Sequence, residues 1–180
     1  MNKLIAILCA AFIALGAFAP QAQAESKTRA SGSSKMVHIQ LKHIMAPVLK
    51  KPGGFTTQIR PITPIMTMSR EKTTVRDALF VCQRAPRVSE AILNYFMKNP
   101  APVTRNRHLD ADAIEKQKTK IAAYVNRALG RALISEVFVF EGAAAKSGVE
   151  ARFPGAQQGC SRVMQEYEQQ LKEAQEKGKK

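Results

Sequence analysis

Acidic residues are scarce in this chain. Its 180 residues carry 28 Lys and Arg against 14 Asp and Glu, a formal charge of +14, and between Ser26 and Arg70 there is no acid at all. A charge of that size says nothing of the fold but favours anionic partners, whether phospholipid headgroups, cell-wall polymer or acidic protein. Lys42, Lys50, Lys51, Arg60 and Arg70 lie in the acid-free stretch and are the candidate contacts. The alternative is a solvated basic face that serves solubility alone. Cysteine is also sparse: Cys9, Cys82 and Cys160 form no C-x-x-C, so a thioredoxin-type redox site is unsupported. The only clustered serines, Ser31, Ser33 and Ser34, sit in no G-x-S-x-G, which removes the nucleophile-elbow hydrolases. Three scattered histidines make no H-E-x-x-H, and Gly53-Gly54 and the Gly155/Gly159 spacing suit turns better than a phosphate loop. No carboxylate pair stands out. The expectation is a non-enzymatic protein without a cofactor.

At the N-terminus Lys3 is followed by an apolar run from Leu4 to Ala19, then Pro20 and Ala22-Gln23-Ala24. A positive charge, a hydrophobic core and an A-x-A site are the layout of a secretory signal, so residues 1–24 are expected to be removed before Glu25. The rival is an uncleaved anchor, which the length disfavours: the run spans about 24 Å as a helix against a hydrocarbon core of roughly 30 Å. Cys9 would leave with the signal. So would Lys3, the only charged side chain before Glu25, leaving 27 basic residues against 14 acidic ones. No second long hydrophobic run follows, and a bacterial periplasm is the expected location, with contact to the inner membrane left open. Export makes nucleic acid the least fitting anionic partner. Cys82 and Cys160 then match one disulfide in an oxidising compartment. Two buried, unpaired thiols are the other reading.

Residues 25–35, rich in Ser, Gly and charge, read as a flexible linker. Val37, Ile39, Leu41, His43 and Met45 fall on one side of a period-2 pattern, which predicts a half-buried strand, and Lys51-Pro52-Gly53-Gly54 predicts a turn. Residues 55–69 are β-rich, yet Pro61 and Pro64 lack amide donors, so the segment is expected at a sheet edge or in two pieces. From Thr74 to Met97 the apolar spacing becomes helical, as one helix interrupted at Pro86 or two short ones, with Thr74 and Asp77 resembling a capping box. Asp110 is the expected N-cap of a long helix that Gly130 stops after Leu129. The apolar run from Leu133 to Phe140 predicts a buried strand. A Gly-containing loop then carries Cys160, and residues 161–177 form a polar helix with Val163, Met164, Tyr167 and Leu171 as a thin apolar stripe. The fold class expected is α+β, a small mostly antiparallel sheet with two packed helices in β-β-α-α-β order plus a C-terminal helix. Its domain covers residues 36–142, followed by the loop and helix of residues 143–180.

Metal binding offers an alternative. His38, His43 and Met45 on the first strand with Met66 and Met68 on the next would supply imidazole and thioether ligands suited to Cu(I) in a periplasmic copper-binding protein. Against it, the odd spacing of His38 and His43 puts them on opposite faces of a regular strand, and strand methionines commonly fill cores.

The order and spacing of these segments carry a resemblance. A strand, the Gly53-Gly54 turn and a second strand precede "VRDALFVCQRAPRVSEAILNYFMK" with its Pro86; "LDADAIEKQKTKIAAYVNRALGRALISEVFVFEG" then places a helix ending at Leu129-Gly130 before a strand with Val137 and Phe138. Residues 36–142 thereby resemble the periplasmic domain of the flagellar basal-body-associated FliL family. The resemblance implies a stomatin-like domain that self-associates as a homo-oligomer and supports the flagellar stator through protein contacts, with no catalytic residues. The chain departs from that family in its cleavable signal and its extension beyond Gly142. A basic adaptor for anionic lipid or cell wall remains the further alternative.

Overall fold

β1 (Met36–Gln40) and β2 (Ile44–Leu49) are two lengths of one interrupted strand, both antiparallel to the same side of β3 (Thr57–Ser69). The structure, a computed structural model, describes residues 36–142, Val149 and residues 152–177. The expected signal, the linker and most of residues 143–151 lie outside those. β4 (Glu136–Glu141) pairs antiparallel with the other side of β3, completing a four-stranded sheet. The fold is α+β, as the segment pattern predicts.

Between β1 and β2 the register slips. Gln40 faces Ile65 and Ile44 faces Ile62, so residues 41–43 stand opposite only Thr63 and Pro64. One extra residue makes a β-bulge and exchanges the two faces of the strand. Ile39 and Leu41 are buried before it, Ala46 and Val48 after it. The unbroken period-2 reading is therefore corrected: Met45 is 51% exposed and His43 is exposed rather than aligned with Ile39.

The expectation for residues 55–69 is overturned more thoroughly. β3 is continuous and central, with both prolines inside it. Within a strand the N–H and C=O of one residue point the same way, so each carbonyl shows where the missing donor would lie. Pro64 O accepts from the Leu41 amide, so its missing donor faces the bulge, where the ladder is already open. Pro61 O accepts from the Gly142 amide at the far end of β4, and the Gly142 carbonyl left without a Pro61 N–H accepts from Thr63 Oγ1 at 2.8 Å instead. The usual objection to proline in a central strand is unmet ladder bonds. Here neither leaves one.

α1 (Val75–Gln83) begins with a complete capping box: the Asp77 amide donates to Thr74 Oγ1 and the Thr74 amide to the Asp77 carboxylate. Pro86 lies in the first turn of α2 (Ala85–Lys98), where its lack of a donor costs nothing, so of the two readings of this segment the pair of helices is the one present. Asp110 caps α3 (Ala111–Glu115), but the single long helix expected from Asp110 to Leu129 is broken before α4 (Lys118–Leu129). The Gln117 amide bonds one residue short, to Ile114 O, while its side chain accepts from the Tyr95 hydroxyl at 2.9 Å. Gly130, at φ 71°, ends α4 in the left-handed region that glycine tolerates.

Helices α2 and α4 cover one face of the sheet, where Ile39, Ile62, Met66 and Val137 meet Val88, Ile92, Phe96 and Val125. On the opposite face Ile65 and Phe138 pack with Val149, Phe153 and Ala156. β4 is thus apolar on both sides, which explains its unbroken run. After a 3-10 turn (Ala156–Gln158), α5 (Gly159–Lys177) starts against β1. Cys160 is its second residue, not part of a loop as expected. Val163 is buried, whereas residues 168–177 are exposed throughout.

Candidate functional site

Helical geometry sets Arg87, Glu90, Asn94 and Lys98 on one face of α2, away from the buried Val88, Ile92, Tyr95 and Phe96. α4 presents Tyr124, Arg127 and Ala128 beside them, and the two helices enclose a groove of about 740 Å³ floored by Ala91 and Ala128. From Arg87 to Lys98 the groove is about 16 Å long at the rise of an α-helix. Lys98 Nζ lies 5.6 Å from the centre of the Tyr124 ring. Among the described residues neither Arg87, Lys98 nor Arg127 forms an ion pair, although Glu90 lines the same groove. The groove holds no serine, cysteine or histidine. It offers a concave surface with a net positive charge.

These groove cations escaped the sequence reading, which followed the missing acids of residues 26–70. The signal was available in the polar spacing of Arg87, Glu90, Asn94 and Lys98 along one helix face.

The five basic residues proposed as a surface are dispersed. Arg60 donates to Glu141 at 2.8 Å and to the Arg107 carbonyl, while Arg70 forms a two-pronged pair with Glu166 at 2.8 and 3.2 Å. Their acids arrive from β4 and α5, remote in sequence. Lys42, Lys50 and Lys51 remain exposed, the first at the bulge and the other two at the turn after β2. That turn closes through bonds from Lys50 N to Thr56 O and from Gly54 N to Lys51 O, with Gly53 at φ 64°. It leaves Phe55 100% exposed.

The copper set does not converge. Met66 and Met68 are fully buried in the helix-facing core, whereas Met45 pairs with Pro61 on the opposite face. The parity argument that separated His38 from His43 no longer applies across the bulge. Even so, His38 packs edge-on to Phe153, ring centres 5.2 Å apart, while His43 is exposed. Among the described residues no group of three or more His, Cys, Asp or Glu is placed to hold a metal.

Cys82 on α1 and Cys160 on α5 stand at disulfide distance, with Cα atoms 5.6 Å apart at a sequence separation of 78. Several ionisable groups are shifted by their local surroundings. The Thr74 bonds hold Asp77 below the usual carboxylate range. Burial works to raise Glu141, but the Leu109 amide, His108 and Arg60 outweigh it and hold it low. Burial and the nearby Arg162 lower His38. Among the described residues, no helix is long and apolar enough to cross a membrane. No family model, curated protein or solved structure matches the chain.

Proposed function

We propose that the chain is an exported, non-enzymatic binding protein that works in the periplasm through protein contacts, as the resemblance to the FliL family implies for a flagellar accessory protein supporting the stator. The observation that carries the binding reading is the α2/α4 groove, whose three cations lack ion-pair partners among the described residues. An arginine held without a carboxylate beside a concave, small-residue floor is suited to receive one from a partner. Counting β1 and β2 as one interrupted strand, and α1 with α2 and α3 with α4 as one helical segment each, the β-β-α-α-β order is compatible with the domain the resemblance implies.

Two measurements test the reading. Mass spectrometry of the native protein should find Glu25 as its first residue; retention of residues 1–24 would remove export through a cleaved signal. In a flagellated host, deletion should reduce swimming, with recovery by the wild-type gene and poor recovery by Arg87→Glu/Arg127→Glu. Undiminished swimming after deletion would remove the motility assignment.

A further inference from the structure

The turn between β2 and β3 combines features that the groove does not use. Its sequence from Lys50 to Phe55 is Lys-Lys-Pro-Gly-Gly-Phe, and no acid occurs within the stretch from Ser26 to Arg70. Phe55 projects at the tip with its whole ring in solvent. A fully exposed phenylalanine forgoes the burial that such a side chain ordinarily gains. The adjoining sheet face repeats the pattern. Met45 pairs with Pro61 and Ile59 with Pro47, and cross-strand partners share a face. Met45 is 51% exposed and Ile59 58%. Val149, Phe153 and Ala156 cover that face around Ile65 and Phe138, but not at Met45 and Ile59.

We propose that this tip and the adjoining open end of the sheet form a membrane-surface site, with Phe55 entering the interface of an anionic phospholipid bilayer and Lys50 and Lys51 facing its phosphate groups. The chemistry selects the occupant. Aromatic and aliphatic side chains beside lysines are what an amphipathic interfacial anchor requires, and anionic headgroups attract nearby lysines within a Debye length. A second copy of this chain fits worse, because its net positive charge would repel the same lysines. The inference extends the proposed function without depending on the groove.

The chain contains no tryptophan, so Phe55→Trp introduces a sole tryptophan at the tip, which can be excited selectively over the three tyrosines. The purified protein is mixed with phosphatidylcholine vesicles, with or without roughly one-third phosphatidylglycerol. The expected result is a blue shift of Trp emission and co-sedimentation with the anionic vesicles alone. Lys50→Glu/Lys51→Glu and Phe55→Ser should each weaken co-sedimentation about tenfold or more, the former also reducing its salt dependence. Arg87→Glu/Arg127→Glu should bind vesicles as the wild type does, so failure of the groove reading leaves this result standing. No co-sedimentation would overturn the inference, as would binding that leaves Trp emission unchanged. A blue shift that grows with protein concentration without vesicles would replace the membrane with a second copy.

Discussion

His38 has a buried Nδ1 without a hydrogen-bond partner, Phe153 against its ring and Arg162 nearby. Desolvation first and the Arg162 charge second disfavour its protonated form in the folded state, placing its pKa below 6.5. Well above that value both states are neutral there and nothing is lost. As pH falls, the unfolded chain takes up the proton first, so stability declines until pH has passed the folded pKa. Denaturation midpoints measured between about pH 7.5 and 5 should fall for the wild type and fall less for His38→Gln. Equal slopes would show that His38 is not the group responsible. Asn126 gives a second test at this scale. Its side chain accepts from the Leu133 and Ile134 amides and donates to Ile134 O, tying α4 to the approach to β4. Asn126→Leu should cost about 2 kcal/mol in urea denaturation, because two amides lose their acceptor. Neither role was legible in the sequence, where both side chains look like ordinary polar positions and their partners come from folding.

At the scale of elements, capping was readable because it is local. Thr74 with Asp77, Asp110 and Gly130 each act within a few residues of their own position. The β3 prolines were misread because their tolerance depends on the bulge at residues 41–43 and on Thr63 serving Gly142, both set by pairing between distant segments. The bulge itself undid the alternation reading for Met45. The cysteines were readable as a pair, but not the elements that would bring them together. A bond between them would tie α5 to α1, and Val163 and the close seat of Gly159 on β1 add to that hold. Cys160→Ser should lower stability by up to about 4 kcal/mol on the chain-entropy model and raise hydrogen exchange in α5 before the sheet. Gly159→Ala should also destabilise, by about 1–3 kcal/mol, since its methyl group would press on the His38 carbonyl and the Ile39 backbone. Unchanged exchange in α5 after Cys160→Ser would show that packing alone holds the helix.

For the whole molecule, net charge was plain in the sequence but its distribution was not. Arg60 and Arg70 lie in the acid-free stretch, yet folding brings Glu141 and Glu166 to them, while Lys42, Lys50 and Lys51 stay exposed. Two kinds of cation result, and reversing them should have different consequences. Arg60→Glu would put a second carboxylate beside Glu141, whose low pKa already depends partly on Arg60. It should destabilise the fold by about 1 kcal/mol after allowance for partial solvent screening. Lys50→Glu/Lys51→Glu changes a solvated turn and should alter stability by no more than about 0.5 kcal/mol. The association effects should run the other way: the lysine pair should weaken attraction to anionic vesicles, most clearly at low ionic strength where screening is least. Urea denaturation and vesicle co-sedimentation of the same variants separate the two. If Lys50→Glu/Lys51→Glu unfolded the protein as readily as Arg60→Glu, the turn would be a structural element and its lysines would not be available as an independent contact surface.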